Sequence, residues 1–428
     1  MRYISKAYLD STLRYATRNL RLHSKASPED CERLKIYAFF EHPYFDRYIV
    51  DDYANMVRMA VRMPCFPLPA DYFAPMTMSE KEVNALHGWS KYILRRTIEE
   101  YHRDEAATEH DREQRWKTIK QRGNLTTYRM RSMSFKEPTK SQYLCQGTVQ
   151  GTLDKVMFGR YAATTERFRR LNAIYRDDLI DCAVLHVIEG QSKERPFYFS
   201  GIKWACVRSP GFVRSRDCCY YEQSGIVLND NGEELGYTIT ESIDTPNCPP
   251  FNPSLSIRAN ISACYLYREK KNTSVQVYMR GDIFAKGRVL NWIATMKSAE
   301  LCLRIEGANL CAQALIATEL VHAAKASKRR SLCATDSDQC KICNEKATRR
   351  YCQVCCRRIC HRCCASVRTL APIECFTQEK RETFCKGCTR LLQVKNFRDS
   401  HWTKTLHECL HFAPELESSL SRVLVETC

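Results

Sequence analysis

Nowhere in the 428 residues does an apolar run approach the ~18 positions a membrane-spanning helix needs; the best stretch, LIDCAVLHVI, ends after ten. The expectation is a protein not integral to a membrane. The opening MRYISKAYLDSTLRYATRNLRLHSKA lacks the unbroken apolar core of a secretory signal. It is rich in arginine and nearly free of acid, a composition shared by organelle transit peptides and by plain basic helices; the second reading is preferred. No internal repeat and no low-complexity tract stands out. Also missing are a phosphate-cradling glycine-rich loop, a Gly-x-Ser-x-Gly elbow and a His-Glu-x-x-His helix. Asp217 with Glu222, or Asp177, Asp178 and Asp181, could be imagined as acid pairs, but at strand-flanking turns they are expected to be solvated. An enzyme is not expected.

What is present is cysteine and positive charge. The chain holds 25 cysteines and a formal net charge of +17, with 44% hydrophobic and 27% charged residues, as in a soluble globular protein. Without a secretory signal the expected compartment is reducing, where clustered cysteines bind metal more often than they pair. Eleven cysteines lie before residue 320, in apolar or strand-like settings that suit small buried thiols; fourteen lie from Cys333 onward.

Along the chain, residues 1–62 read as a basic helical extension, with Ser27-Pro28-Glu29-Asp30 as a helix start. Four prolines in MPCFPLPADYFAP mark a boundary. Ser79 and Glu82 form a capping box ahead of an amphipathic helix carrying Val83, Leu86, Trp89, Ile93, Leu94 and Ile98, whose charged tail RDEAATEHDREQR reads as a solvated end. From Trp116 to Arg280 the pattern is of about seven to nine strands with one or two helices. Asn231-Gly232 marks one hairpin; Val275, Val277 and Met279 share one face of a later strand. GTLDKVMFGRYA reads as a helix between early strands. A long amphipathic helix closes the region, with Trp292, Ile293 and Met296 on its apolar stripe and Gly287 and Gly307 as points of weakness. The order describes an α+β domain over 63–325, a basic linker over 326–339, a cysteine-rich module over 340–398 and a tail over 399–428.

The module is built on four Cys-x2-Cys pairs: Cys340/Cys343, Cys352/Cys355, Cys360/Cys363 and Cys385/Cys388. Eight thiolates, four per tetrahedral ion, imply two Zn²⁺. Only four residues separate the second and third pairs, too few for a comfortable shared site. A cross-brace is therefore expected: Cys340, Cys343, Cys360 and Cys363 around one zinc, Cys352, Cys355, Cys385 and Cys388 around the other. Cys333, Cys356, Cys364 and Cys375 are expected to be spectators, and His361 a surface residue. Residues 340–398 carry fourteen Lys/Arg against four Asp/Glu, a formal +10. Each Zn²⁺ with four thiolates contributes −2, which leaves about +6 and a surface suited to phosphate groups.

The stretch TRRYCQVCCRRICHRCC resembles the centre of FYVE-type zinc fingers, with Arg349 and Arg350 on that family's basic pair. The resemblance implies docking to anionic membranes carrying phosphatidylinositol 3-phosphate, with Arg349, Arg350, Arg357 and Arg358 on the headgroup. Tyr351 stands where that family has two histidines, Gln353 where it has arginine, and no Trp-x-x-Asp precedes Cys340. The same spacing is similar to PHD-type chromatin fingers with Cys360 in place of histidine, which leaves a protein-interaction or chromatin-reading module as the alternative. Residues 79–325, with GTVQGTLDKVMFG, FYFSGIKWA, RDCCYYEQSG and GYTITESID, resemble a START domain, a helix-grip fold. That implies a curved antiparallel sheet, a long C-terminal helix across it and a pocket for an apolar lipid. Together the two resemblances imply a non-catalytic, cytoplasmic protein peripheral to endosomal or other membranes, with lipid and membrane surface rather than nucleic acid as partners.

Overall fold

Local rules account for the first helix. Ser79 accepts from the Glu82 N–H at 3.3 Å while Glu82 Oε2 accepts from the Ser79 N–H at 2.8 Å, so the box expected from the sequence closes in both directions. It starts α1 (Glu80–Ala106), which packs Ile93, Leu94 and Ile98 on the sheet. Trp89, placed by periodicity on that stripe, is instead 48% exposed and stacks on Tyr92 at 5.3 Å. The charged tail also departs from expectation. Asp104 is buried and accepts from the Tyr278 hydroxyl at 2.7 Å; a second capping box, Thr108 with Asp111, then starts α2 (Glu109–Arg115).

The computed structural model describes residues 66–69, 71–131, 140–175, 178–210, 213–270, 274–326, 339–370, 380–393 and 398. The expected N-terminal helices, most of the linker and the C-terminal tail lie outside them. Ten strands form one sheet: β1 (Trp116–Arg122), β2 (Leu125–Met130), β3 (Lys140–Gln150), β4 (Leu179–Glu189), β5 (Phe199–Val207), β6 (Arg216–Leu228), β7 (Glu234–Ser242), β8 (Ile257–Arg258), β9 (Asn260–Lys270) and β10 (Ser274–Phe284). Their order is β1-β2-β3-β10-β9-β7-β6-β5-β4, antiparallel throughout, with only the short β8 running parallel to β6. The Asn231-Gly232 hairpin joins β6 to β7, and Gly232 takes the positive φ of 74° that such a turn demands.

Alternation along β10 divides the interior. Val275, Val277 and Met279 enter one core, and Tyr278 enters the other, beneath α1. The first core is covered by α3 (Leu153–Arg160), α4 (Thr165–Tyr175) and the C-terminal helices. Those helices are two. α5 (Asn291–Cys302) gives way to a 3-10 turn over Leu303–Gly307, and α6 (Ala308–Ala326) follows, so the long closing helix is interrupted at a segment that ends on Gly307. Among the described residues no helix is long and apolar enough to cross a membrane.

Twelve of the nineteen residues of α6 are buried, far more than one stripe of an amphipathic helix. The cysteine module accounts for the second covered side. Leu370, Phe384 and Leu392 belong to the same continuous apolar cluster as Leu320 and Val321. The Leu370 N–H donates to Thr318 Oγ1 at 2.8 Å, and Arg368 Nη1 donates to the Ile174 carbonyl at 3.1 Å. Lys155 Nζ, almost fully buried on α3, meets Gln393 Oε1 at 2.9 Å. Arg398 grips Asp154 at 2.7 Å and Glu234 at 2.6 Å.

α3 reaches α6 through Gly159. A Cβ there would lie 1.9 Å from the Ala308 carbonyl oxygen, and backbone on the other side has no rotamer with which to yield. Overpacking of this kind costs about 1–3 kcal/mol. Gly159→Ala is therefore expected to lower the urea midpoint without changing the denaturant slope by much; an unchanged midpoint would mean that α3 and α6 do not pack this tightly.

Candidate metal centre and ligand cavity

In the cysteine module the first two Cys-x2-Cys pairs fold alike. The Asn344 N–H donates to the Cys340 carbonyl and the Cys356 N–H to the Cys352 carbonyl, both at 2.9 Å. Cys340 N–H reaches the Glu345 carbonyl at 2.7 Å, and Cys352 N–H reaches that of Arg357 at 3.0 Å. The residue after each second cysteine, Asn344 or Cys356, takes a positive φ of 61° or 57°. Asparagine tolerates that region; cysteine is held there by the turn. The last two pairs instead start short helical turns, with Cys360 preceding His361–Cys363 and Cys385 capping α7 (Lys386–Arg390). The Cys388 N–H donates to Cys385 Sγ at 3.3 Å.

One turn of each kind contributes to each cluster. Cys340, Cys343, Cys360 and Cys363 converge, as do Cys352, Cys355, Cys385 and Cys388, with sulfurs within 4.8 Å of one another. Zn–S bonds of about 2.3 Å in a tetrahedron require sulfurs about 3.8 Å apart. Cys343 and Cys360 stand at 3.6 Å, and Cys355 and Cys385 at 3.8 Å, far beyond the length of a disulfide. The donor set and spacing fit two Zn²⁺. Hydrogen bonds from Cys355, Cys385 and Cys388 hold the Cys352 thiol far below its ordinary value, whereas Cys388 is pushed far up, mainly by its bond to Cys352. Metal ligation requires all four thiols of a quartet to be deprotonated, and a divalent ion would let them ionise together.

Two small ribbons frame the clusters. β11 (Arg350–Tyr351) pairs with β12 (Arg358–Ile359), and β13 (Cys364–Thr369) with β14 (Lys380–Cys385). Arg349, Arg350 and Arg357 are exposed; Arg358 is half-buried and pairs with Tyr351, which puts it on the face of the ribbon opposite Arg350. His361 is exposed and stands outside both quartets. Cys356 and Cys364 also stand outside them, with Cys364 Sγ 3.9 Å from Arg350 Nη1. Cys333 and Cys375 lie outside the described residues.

The second feature is a cavity of about 210 Å³ between the sheet and α5, walled by Phe168, Ala205, Tyr265, Ile283, Ile293 and Leu301 among others. Of the three stripe residues singled out on the closing helix, Ile293 faces this space. Trp292 and Met296 instead line an outer groove against β1 and β2, and Trp292 is 66% exposed. The α6 segment does not line the cavity, which is bounded on its helical side by α5, the 3-10 turn at Arg304 and α4.

The carboxylates expected to be solvated are not. Asp217 is fully buried and accepts from Trp204 Nε1 at 3.0 Å, Ser256 Oγ at 2.7 Å and Arg258 Nε at 2.7 Å. Asp181 is buried against Arg169, and Asp178 takes Arg304 at 2.6 Å. Glu222 holds Lys203 Nζ at 2.5 Å in the cavity wall, where Lys203 also lies over the Phe199 ring at 4.1 Å. Burial lowers the Lys203 pKa, and Glu222 opposes that shift. Each acid has a basic or hydrogen-bonding partner that sequence separation conceals; Asp177 lies outside the described residues.

No protein-family model matches the chain, and no curated protein sequence does. Solved structures resemble part of it. The lipid transfer and protein localization domain of human StarD13 (DLC2) aligns over 50% of this chain and 94% of its own, at 14% identity and a TM-score of 0.35. Human STARD10 aligns over 49% and 78%, at 14% and 0.35. Human StAR-related lipid transfer protein 5 aligns over 52% and 96%, at 12% and 0.38.

Proposed function

We propose that this is a non-catalytic lipid-binding protein of START-like type that docks on membranes through a FYVE-related finger holding two Zn²⁺, coordinated by the two cysteine quartets. The observation that carries the reading is the cavity between an antiparallel sheet and α5, walled largely by apolar side chains. Such a wall favours an apolar ligand by ~25 cal/mol per Å² removed from water, so retention needs no covalent step. The finger adds four arginines, Arg349, Arg350, Arg357 and Arg358, of which the exposed Arg349, Arg350 and Arg357 are in this reading the ones that meet phosphate on the cytoplasmic face of a membrane such as the endosome's. Shared core between finger and sheet domain supports the two acting as one body.

Native mass spectrometry of the full chain is expected to show two zinc ions and a retained lipid. Sedimentation with vesicles tests the docking. Binding to vesicles containing phosphatidylinositol 3-phosphate should fall as salt rises, because exposed charges act within a Debye length of about 8 Å at physiological ionic strength. Neutralising Arg349 and Arg350 together should weaken it severalfold. Indifference to vesicle charge, with selective retention on histone tails, would favour the chromatin-reading alternative.

A further inference from the structure

The charged residues of the cavity are not balanced, and their imbalance bears on what the cavity holds. Of the six cations that line it, three have acid partners, Lys203 with Glu222, Arg304 with Asp178, and Lys297 with Glu300 at 3.1 Å, and a fourth, Arg160, lies over the Tyr265 ring at 5.6 Å. Arg216 is different. It is 7% exposed and lines the cavity, yet its guanidinium meets only carbonyl oxygens: Ala285 and Lys286 at 3.0 Å each, and Arg214. No carboxylate among the described residues pairs with it. Burial lowers its pKa with no acid to offset the shift, though a guanidinium remains charged across the accessible range. Of its five N–H groups three are engaged by those carbonyls, which leaves donors for another acceptor. Arg208, also lining the cavity, is exposed and likewise has no acid partner among the described residues.

A buried cation without a counter-charge is costly unless something neutralises it. The apolar remainder of the wall gives that something a hydrocarbon body. We infer that the cavity takes an acidic amphiphile: an alkyl chain ending in a carboxylate or phosphate, its head against Arg216 and Arg208 and its chain between α5 and the sheet. This rests on the cavity being a lipid pocket, as proposed above, and adds the charge of the ligand. Guanidinium suits both head groups because its planar fork matches either pair of oxygens.

The test uses the full-length, zinc-loaded protein and four probes: palmitate, palmityl phosphate, palmityl alcohol and inorganic phosphate. Competition against a bound fluorescent lipid is expected to rank at least one of the two acids about tenfold or more above the alcohol; which one leads tells carboxylate from phosphate. Inorganic phosphate alone should not compete. Arg216→Gln should erase the preference while leaving the alcohol's affinity within about twofold, and Arg216→Lys should keep most of it. Should Arg216→Gln fold poorly, Arg208→Gln at its exposed position should still reduce the preference about twofold to threefold. Alcohol binding as tightly as both acids would overturn the inference and leave the pocket intact. Competition by inorganic phosphate as strong as by the acids would overturn it too. If no amphiphile competes and mass spectrometry finds no lipid, the pocket reading falls and this inference with it.

Discussion

Removing zinc is expected to unfold the 339–393 segment and to loosen α6 with it. The described module has few large buried side chains of its own, chiefly Val354, Ile359, Leu370, Phe384 and Leu392. Segments of this size rarely fold on a core alone, and a structural zinc site contributes an apparent ~10–16 kcal/mol that a small core cannot replace. Four crowded thiols without their ion repel or stay protonated, which reverses the gain. Metal analysis should give two ions per chain before chelation. Hydrogen exchange afterwards should show lost protection in β13, β14 and α6 but not in β6 or β7. Cys385→Ser should lose one ion and most of this protection. Cys364→Ser, outside both quartets, should lose neither. One ion or none at the start would remove the basis for a cross-brace.

The second large effect concerns Lys203 and Glu222. Lys203 is 1% exposed, so Glu222→Gln leaves an ammonium stranded in an apolar wall. Breaking one side of a buried pair typically costs about 3–5 kcal/mol, whereas replacing both by apolar residues of similar volume is often neutral. Chemical denaturation at neutral pH should show that loss for Glu222→Gln and recovery of most of it in a Lys203→Met, Glu222→Leu double variant. The sign of the pH dependence follows from Lys203, whose pKa burial already lowers and Glu222 partly restores. In Glu222→Gln the folded pKa falls further below the ordinary lysine value. Between the two values the unfolded chain binds more protons than the folded one, so stability rises with pH through that window. A variant whose stability is flat there would place Lys203 in contact with water.

Much of this was legible in the residues. The Ser79/Glu82 box, the Asn231-Gly232 turn and the alternation of Val275, Val277 and Met279 each follow from local rules, and each appears where those rules put it. The quartets were legible because a gap of four residues makes sharing between adjacent pairs awkward, and the structure gathers those same eight cysteines in the alternate arrangement. Long-range partners were not. Nothing near Asp104 in sequence announces Tyr278, and nothing near Asp217 announces Arg258. The 3-10 interruption at Leu303–Gly307 was missed because an apolar periodicity survives a single 3-10 turn. A usable signal did exist for α6: LCAQALIATELVHAAKA is apolar on more than one face, which marks a helix covered from two sides. The equivalence of the first two cysteine turns left no trace in sequence identity, since Asn344 and Cys356 perform the same backbone task.

Because α6 is wrapped by the sheet domain on one flank and by β13 on the other, severing the chain between residues 326 and 339 would strip an oily rod of half its cover. Either piece expressed separately should clump or recruit chaperones, and a dissection that treats the halves as independent parts would mistake the damage of cutting for the loss of a binding activity.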